Sequence, residues 1–247
     1  MDGTQKKTVI KTSGLRKVYR IGKERVVALK GIDIEVFEGE ICCLLGTSGS
    51  GKSTLLNMLA GLEKPTRGEI SILGERIDKM NEKKLAIFRQ KNLGFVFQSY
   101  NLLPNLSAVE NVSLPLEFQG VSKKVRDKKA IKMLKLVGLA DRMKHRPTQM
   151  SGGQQQRVGI ARAFVGSPKI VFADEPTGNL DSKTTDEVMN MIVDMIHKNH
   201  QTMVIVTHEQ SIAKYADRVF FMLDGEISNI TNNFENKNIY ENAGEEK

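Results

Sequence analysis

Residues 41–62 read ICCLLGTSGSGKSTLLNMLAGL, and the order of residue types along them decides the fold. The run Ile41–Leu45 has the length and apolar character of a buried strand and stops at Gly46. The next stretch, GTSGSGKST (46–54), matches Gly-x4-Gly-Lys-Ser/Thr at every position. Glycines at 46, 49 and 51 let the backbone curl so that its N–H groups face phosphate oxygens. The helix expected from KSTLLNMLAGL begins at that loop and adds the positive end of its dipole. Strand, glycine loop and helix together make Gly46, Thr47, Ser48, Gly49, Ser50, Gly51, Lys52, Ser53 and Thr54 candidate phosphate-binding residues. In that pattern Lys52 reaches the terminal phosphates and the Ser53 hydroxyl ligates magnesium.

Three further apolar runs end in the same manner. Leu93–Phe97 stops at Gln98, Ile170–Ala173 at Asp174-Glu175, and Met203–Thr207 at His208. Runs this short, rich in Val, Ile and Phe, predict strands of a mainly parallel sheet in an α/β protein. Ligands of such sheets lie outside the carboxyl ends of the strands, so the polar ends mark the candidate site. In KIVFADEP (169–176) a strand delivers Asp174, whose carboxylate can hold magnesium through water. Glu175 beside it can orient or deprotonate an attacking water. A second helix start suited to anions appears in MSGGQQQR (150–157). There Ser151 is a good N-cap, and two glycines allow close approach to a helix expected to continue through Arg162.

With that third motif the sequence closely resembles the ATP-binding cassette family, from about Val9 to about Ile230. Ser151-Gly152-Gly153-Gln154 matches the family signature, with Met150 where leucine is usual, a departure conservative in size. The resemblance implies a P-loop NTPase fold: a mainly parallel central sheet, an antiparallel β subdomain, and a helical subdomain inserted at about 99–160. It implies ATP and Mg²⁺ as ligands, and further roles by match. Gln98 resembles the glutamine that touches magnesium and the lytic water and links to the membrane partner. His208 resembles the switch histidine at the γ-phosphate. Asp181, within Asn179-Leu180-Asp181, resembles the loop crossing the dimer interface, and Tyr19 resembles the aromatic residue stacked on adenine. Two chains are expected to hold two ATP molecules head to tail, each cradled by residues 46–54 of one chain and capped by Ser151 and Gly153 of the other. The stretch FVFQSYNLLPNLSAVENVSLPLEFQG (95–120), with ADEPTGNLD, resembles the subfamily serving lipoprotein release, macrolide efflux, antimicrobial-peptide resistance and division-linked signalling.

Composition agrees with a soluble domain. Of 247 residues, 40% are apolar and 27% charged, and no apolar run approaches the ~20 residues of a membrane span. The start, MDGTQKKTVIK, lacks a signal-type apolar stretch. The chain is therefore expected to stay in the cytoplasm, where it is made, and the resemblance implies that it works as a homodimer at the inner face of the membrane through transmembrane permease subunits. The net charge of +8 admits nucleic acid as a partner. Nucleic-acid-handling relatives of the family carry coiled-coil arms or cysteine clusters, however, and neither pattern occurs here, so none is expected.

Much of the excess charge sits in SKKVRDKKAIKMLK (122–135), which is expected to be a helix burying Val125, Ile131, Leu134 and the following Val137. Adjacent Cys42 and Cys43 in a strand are read as small buried residues, since they point to opposite faces. His145, His197 and His200 have no ligand cluster around them, and Met189, Met191, Met195 and Met203 read as core filler. Asp224-Gly225 signals a tight hairpin. The cassette is expected to span 1–231 and the polar stretch 232–247 to be a tail.

Overall fold

The computed structural model describes residues 6–233. The chain forms two compact units: one from the residues up to Met80 together with those from Thr202 onward, the other from Asn81–Gln201. No helix among the described residues is long and apolar enough to cross a membrane.

The first unit opens with a hairpin of β1 (Thr8–Ile21) and β2 (Glu24–Ile32), paired antiparallel from Ile21↔Glu24. Strand β1 also pairs antiparallel with β3 (Glu35–Phe37) and β5 (Arg67–Ile72), and β5 pairs with β6 (Glu75–Arg76). Beside this antiparallel part lies a parallel one, in which β4 (Ile41–Leu45) runs between β10 (Arg218–Leu223) and β9 (Thr202–Thr207). Every residue of β4 and β9 is buried, the pattern of strands covered on both faces. Cys42 and Cys43 sit there, both buried and neither in a disulfide among the described residues. The start of β4 is pinned by polar groups: Asp217 Oδ2 accepts from the Ile41 N–H at 2.9 Å, and Glu40 pairs with the Arg218 guanidinium.

Strand β10 turns at Asp224 and Gly225, both left-handed (φ 48° and 82°), into β11 (Glu226–Asn232), as the Asp-Gly signal predicts. Asn232 thus closes a strand, and the Asn233 side chain donates to the carbonyls of Ala213 and Ala216. The rest of the expected tail, 234–247, lies outside the described residues. Among the described residues of the unit there are also the α-helices α1 (Lys52–Leu59) and the single turn α7 (Gln210–Ala213), with a 3-10 turn at Ile77–Lys79.

The second unit holds α2 (Glu82–Asn92), β7 (Leu93–Phe97), α3 (Ala108–Phe118), α4 (Lys123–Leu136), α5 (Gly152–Phe164), β8 (Ile170–Asp174) and α6 (Ser182–Lys198). Residues 99–160 fall within it and carry α3, α4 and the first turns of α5. Strands β7 and β8 are parallel and in register from Leu93↔Ile170 to Phe97↔Asp174. A side chain at Gly94 would meet the Ala163 carbonyl at 2.5 Å, so glycine is what lets α5 lie against β7. Helix α6 buries Thr185, Val188, Met189, Ile192, Met195 and Ile196, one stripe at helical spacing.

Helix α4 departs from its predicted face. Leu134 and Val137 are buried as expected, but Val125 and Ile131 are 47% and 36% exposed, and Ala130 takes the inner position. Ala130, Leu134 and Val137 are thus the buried positions of this segment, which packs against α3 and α5.

Candidate functional site

In the first unit the loop after β4 is shaped by glycines with different jobs. Gly49 and Gly51 take φ of 81° and 100°, values that L-residues rarely adopt. Gly46 is not left-handed; a side chain there would run into the Met222 carbonyl of β10. Close packing, and not backbone freedom, is what demands glycine at 46.

Gly51 caps α1 with no side-chain hydrogen bond, so the first turn of that helix carries no acceptor from its own cap. Lys52 is 7% exposed and folds back, its ammonium donating to the carbonyls of Gly46 and Thr47 at 2.7 Å each. Two oxygens thus stand before the lysine where phosphate oxygens would stand in a nucleotide complex. Thr47, Ser48, Gly49 and Ser53 are exposed around it, and Thr54 is half-buried. Ser50 differs: it is 2% exposed, its N–H closes a turn on the Thr47 carbonyl, and its Oγ finds no partner among the described residues. A loop of exposed backbone, an uncapped helix start and an inward lysine together fit a polyphosphate, and Ser53 at the rim offers a hydroxyl to its cation.

Tyr19 on β1 is half-buried, and its hydroxyl donates to Glu63 at 2.7 Å and lies 3.5 Å from the Thr54 Oγ1. Lys17 bonds Glu63 at 2.7 Å and stands 5.1 Å from the Tyr19 ring centre. Burial raises the Tyr19 pKa above its ordinary value, with the neighbouring Glu63 carboxylate adding to the rise. Lys17 and Glu63 thereby hold the ring beside the phosphate loop. Neither stood out in the sequence, because Lys17 and Glu63 are 46 positions apart and no motif links them. His208 is exposed one residue past β9, and since Leu45 pairs with Thr207, Gly46 and His208 leave neighbouring strands at one level.

In the second unit the acids emerge in the same way. Phe97 pairs with Asp174, so Gln98 follows β7 at the level where β8 ends. Glu175 has φ 45°, left-handed for a residue with a side chain, and the turn is held by the Gly178 N–H on the Glu175 carbonyl at 3.2 Å. Gln98 is exposed; its carbonyl accepts from Asn179 Nδ2 at 2.9 Å, and its amide packs on Gly178, where a Cβ would come within 2.8 Å.

Ser151 caps α5 in a reciprocal box with Gln154: its Oγ accepts from the Gln154 N–H at 3.3 Å, and Gln154 Oε1 accepts from the Ser151 N–H at 3.1 Å. Ser151 is exposed, Gly152 and Gly153 are half-buried, and Met150 is buried. Asp181 caps α6, accepting from the Thr184 N–H and Oγ1 at 3.0 and 2.7 Å, bonds that hold its carboxyl below the usual range. A side chain at Gly153 would sit 3.2 Å from Thr184 Cγ2, so the cap of α6 lies against the start of α5. Sequence reasoning missed three residues that tie these turns together: Gln156, donating to the Pro176 carbonyl, and Tyr100 with Arg162, whose carbonyl–guanidinium bond is 2.8 Å.

Known proteins resemble this chain in sequence and in fold. The sequence pattern of the ABC transporter family matches residues 29–178. The ATP-binding protein of the lipoprotein-releasing system of Legionella pneumophila is 45% identical over 219 residues, covering 89% of this chain and 96% of that protein. A macrolide export ATP-binding/permease protein of Chlorobaculum tepidum is also 45% identical over 219 residues, which make up 33% of its length. A dimeric ATP-binding cassette solved in a post-hydrolysis state with ADP and Pi superposes with a TM-score of 0.85 at 40% identity, covering 90% of this chain and 98% of the other. In fold, motifs and relatives alike, this chain belongs to the ABC transporter family as one of its ATP-binding subunits.

Proposed function

We propose that this chain hydrolyses ATP as half of a head-to-tail homodimer and passes the resulting motion to transmembrane permease subunits. The observation that carries the reading is the Lys52 ammonium closed over an uncapped helix start, a cradle whose internal carbonyls stand where phosphates would. The relatives support it, since one is named an ATP-binding/permease protein and a similar solved structure is a dimer holding ADP and Pi.

In this reading Lys52 exchanges its two carbonyls for phosphate oxygens, and the N–H groups of residues 46–54 surround the phosphates. Tyr19 supports the base. Ser53, Asp174 and Gln98 would hold Mg²⁺, which neutralises charge on the phosphates when bound. Glu175 orients the water or takes its proton, and His208 donates toward the γ-phosphate. Ser151, Gly152, Gly153 and Gln154 of one protomer, with the Asp181 turn, close over the nucleotide of the other, so phosphates lie between two helix amino termini. Moving a dimer from mostly open to mostly closed requires that ATP favour closure by about 5.5 kcal/mol. Loss of the γ-phosphate removes that preference and the dimer reopens. The permease places the chain at the inner face of the membrane.

Glu175→Gln is the direct test. The variant is expected to bind ATP, lose turnover, and run as a dimer with ATP–Mg²⁺ but as a monomer with ADP. Turnover at the normal rate would sink the assignment of Glu175.

A further inference from the structure

We propose that Tyr100 and Arg162 are positioning residues that join the segment following Gln98 to the helix start bearing Ser151, so that a change at one is carried to the other within a single protomer. The inference rests on the reading that Ser151 caps the partner's nucleotide.

Tyr100 and Asn101 are consecutive residues with side chains in the left-handed region, φ 59° and 49°. A chain does not hold two such residues in sequence without support. Here the support is one guanidinium. Arg162 donates from one nitrogen to the Tyr100 carbonyl at 2.8 Å and from another to the Asn101 carbonyl at 2.5 Å. No carboxylate among the described residues forms an ion pair with it, and burial lowers its pKa, so these carbonyls are what answer a partly buried cation. A planar fork can hold both oxygens at once, whereas an ammonium cannot reproduce that geometry.

The other end of Tyr100 reaches the opposite end of the helix. A Cβ built on Gly152 would lie 2.8 Å from the Tyr100 hydroxyl, and one on Gly159 3.7 Å from its carbonyl oxygen. Positions 152, 159 and 162 share one face of α5 at helical spacing. Tyr100 therefore lies along that face, its carbonyl held near the carboxyl end of the helix and its hydroxyl resting on the residue after Ser151. Two positions upstream, Gln98 is placed by Asn179 and Gly178. A shift of Gln98 along this path moves the tyrosine, and the tyrosine bears on the amino terminus of α5.

The test compares Tyr100→Phe, Tyr100→Ala and Arg162→Lys in the Glu175→Gln protein, measuring melting temperature, affinity of the monomer for a fluorescent ATP analogue, and the ATP-dependent dimer dissociation constant. Monomer affinity is expected to stay within about twofold while the dimer constant rises about tenfold for Arg162→Lys and Tyr100→Ala, with a smaller rise for Tyr100→Phe. With Glu175 restored, kcat should fall and KM for ATP should hold. An unchanged dimer constant and kcat would overturn the inference. So would a parallel fall of melting temperature, monomer affinity and dimerisation, which marks a role in stability alone. Tyr100→Phe, which removes one hydroxyl, keeps the test open if a larger change prevents folding. A Glu175→Gln parent that stays monomeric with ATP would overturn the sandwich reading, and this inference with it.

Discussion

The glycines of the phosphate loop show that one residue type answers different demands. Gly49 and Gly51 are required by φ of 81° and 100°, while Gly46 is required because the Met222 carbonyl occupies the space a side chain would need. Gly46→Ala should therefore act as overpacking between β4 and β10, with a loss of about 1–3 kcal/mol measured by urea unfolding. If Gly46→Ala melts like the parent, the Met222 contact does not constrain the strand pair. Lys52 makes a second point at this scale. Its ammonium already has two oxygen partners, so in the proposed reading nucleotide binding would exchange one set of charge-assisted bonds for another and gain mainly from phosphate charge. Lys52→Ala should lose most of its ATP affinity in a nucleotide titration; unchanged affinity would remove Lys52 from the phosphates.

At the scale of elements, the strands were legible because each is a short apolar run closed by a polar residue or glycine. Ile41–Leu45 and Leu93–Phe97 appear with the bounds read from the sequence, and the Asp224-Gly225 turn falls where its φ preference puts it. The phosphate loop and the Ser151 N-cap were legible for a related reason, since their chemistry lies within a few consecutive residues. The buried face of α4 was not, because whether Ile131 or Ala130 turns inward depends on the room left by neighbouring helices. Tyr100 and Arg162 escaped notice because they lie 62 positions apart, and nothing local marks an arginine that bonds only main chain.

Asn111 of α3 is a similar case. Fully buried, it accepts from the Leu103 N–H at 2.8 Å, and its two amide N–H groups are shared among the carbonyls of Leu103, Leu106 and Ser107, each 3.1 Å from Nδ2. It serves as the internal framework of the turn leading into α3. Asn111→Leu leaves those groups without partners and should cost about 1–3 kcal/mol in equilibrium unfolding. A stability equal to the parent's would mean that water replaces the amide.

For the whole molecule, the decisive question is whether the two helix starts proposed to face nucleotide act in one chain or across two. A closed head-to-tail pair makes each site from the Lys52 loop of one protomer and the Ser151 box of the other. Lys52→Ala and Ser151→Arg should then each abolish turnover alone, the first by removing the phosphate cation and the second by placing a bulky charge where a small cap is needed. In a mixed dimer of the two variants the defects fall together at one site. The other site joins an intact Lys52 loop to an intact Ser151 box, so mixing two inactive proteins should restore ATP hydrolysis. The recovered rate should follow the fraction of mixed dimers as the ratio is varied and vanish when either protein is omitted. A pair of helix starts acting within one chain predicts no recovery at any ratio, because every chain then carries its own defect. Recovery would establish the two-chain site without a structure of the dimer, and its absence, with both variants folded, would leave the Lys52 cradle standing and remove Ser151 from the partner's nucleotide.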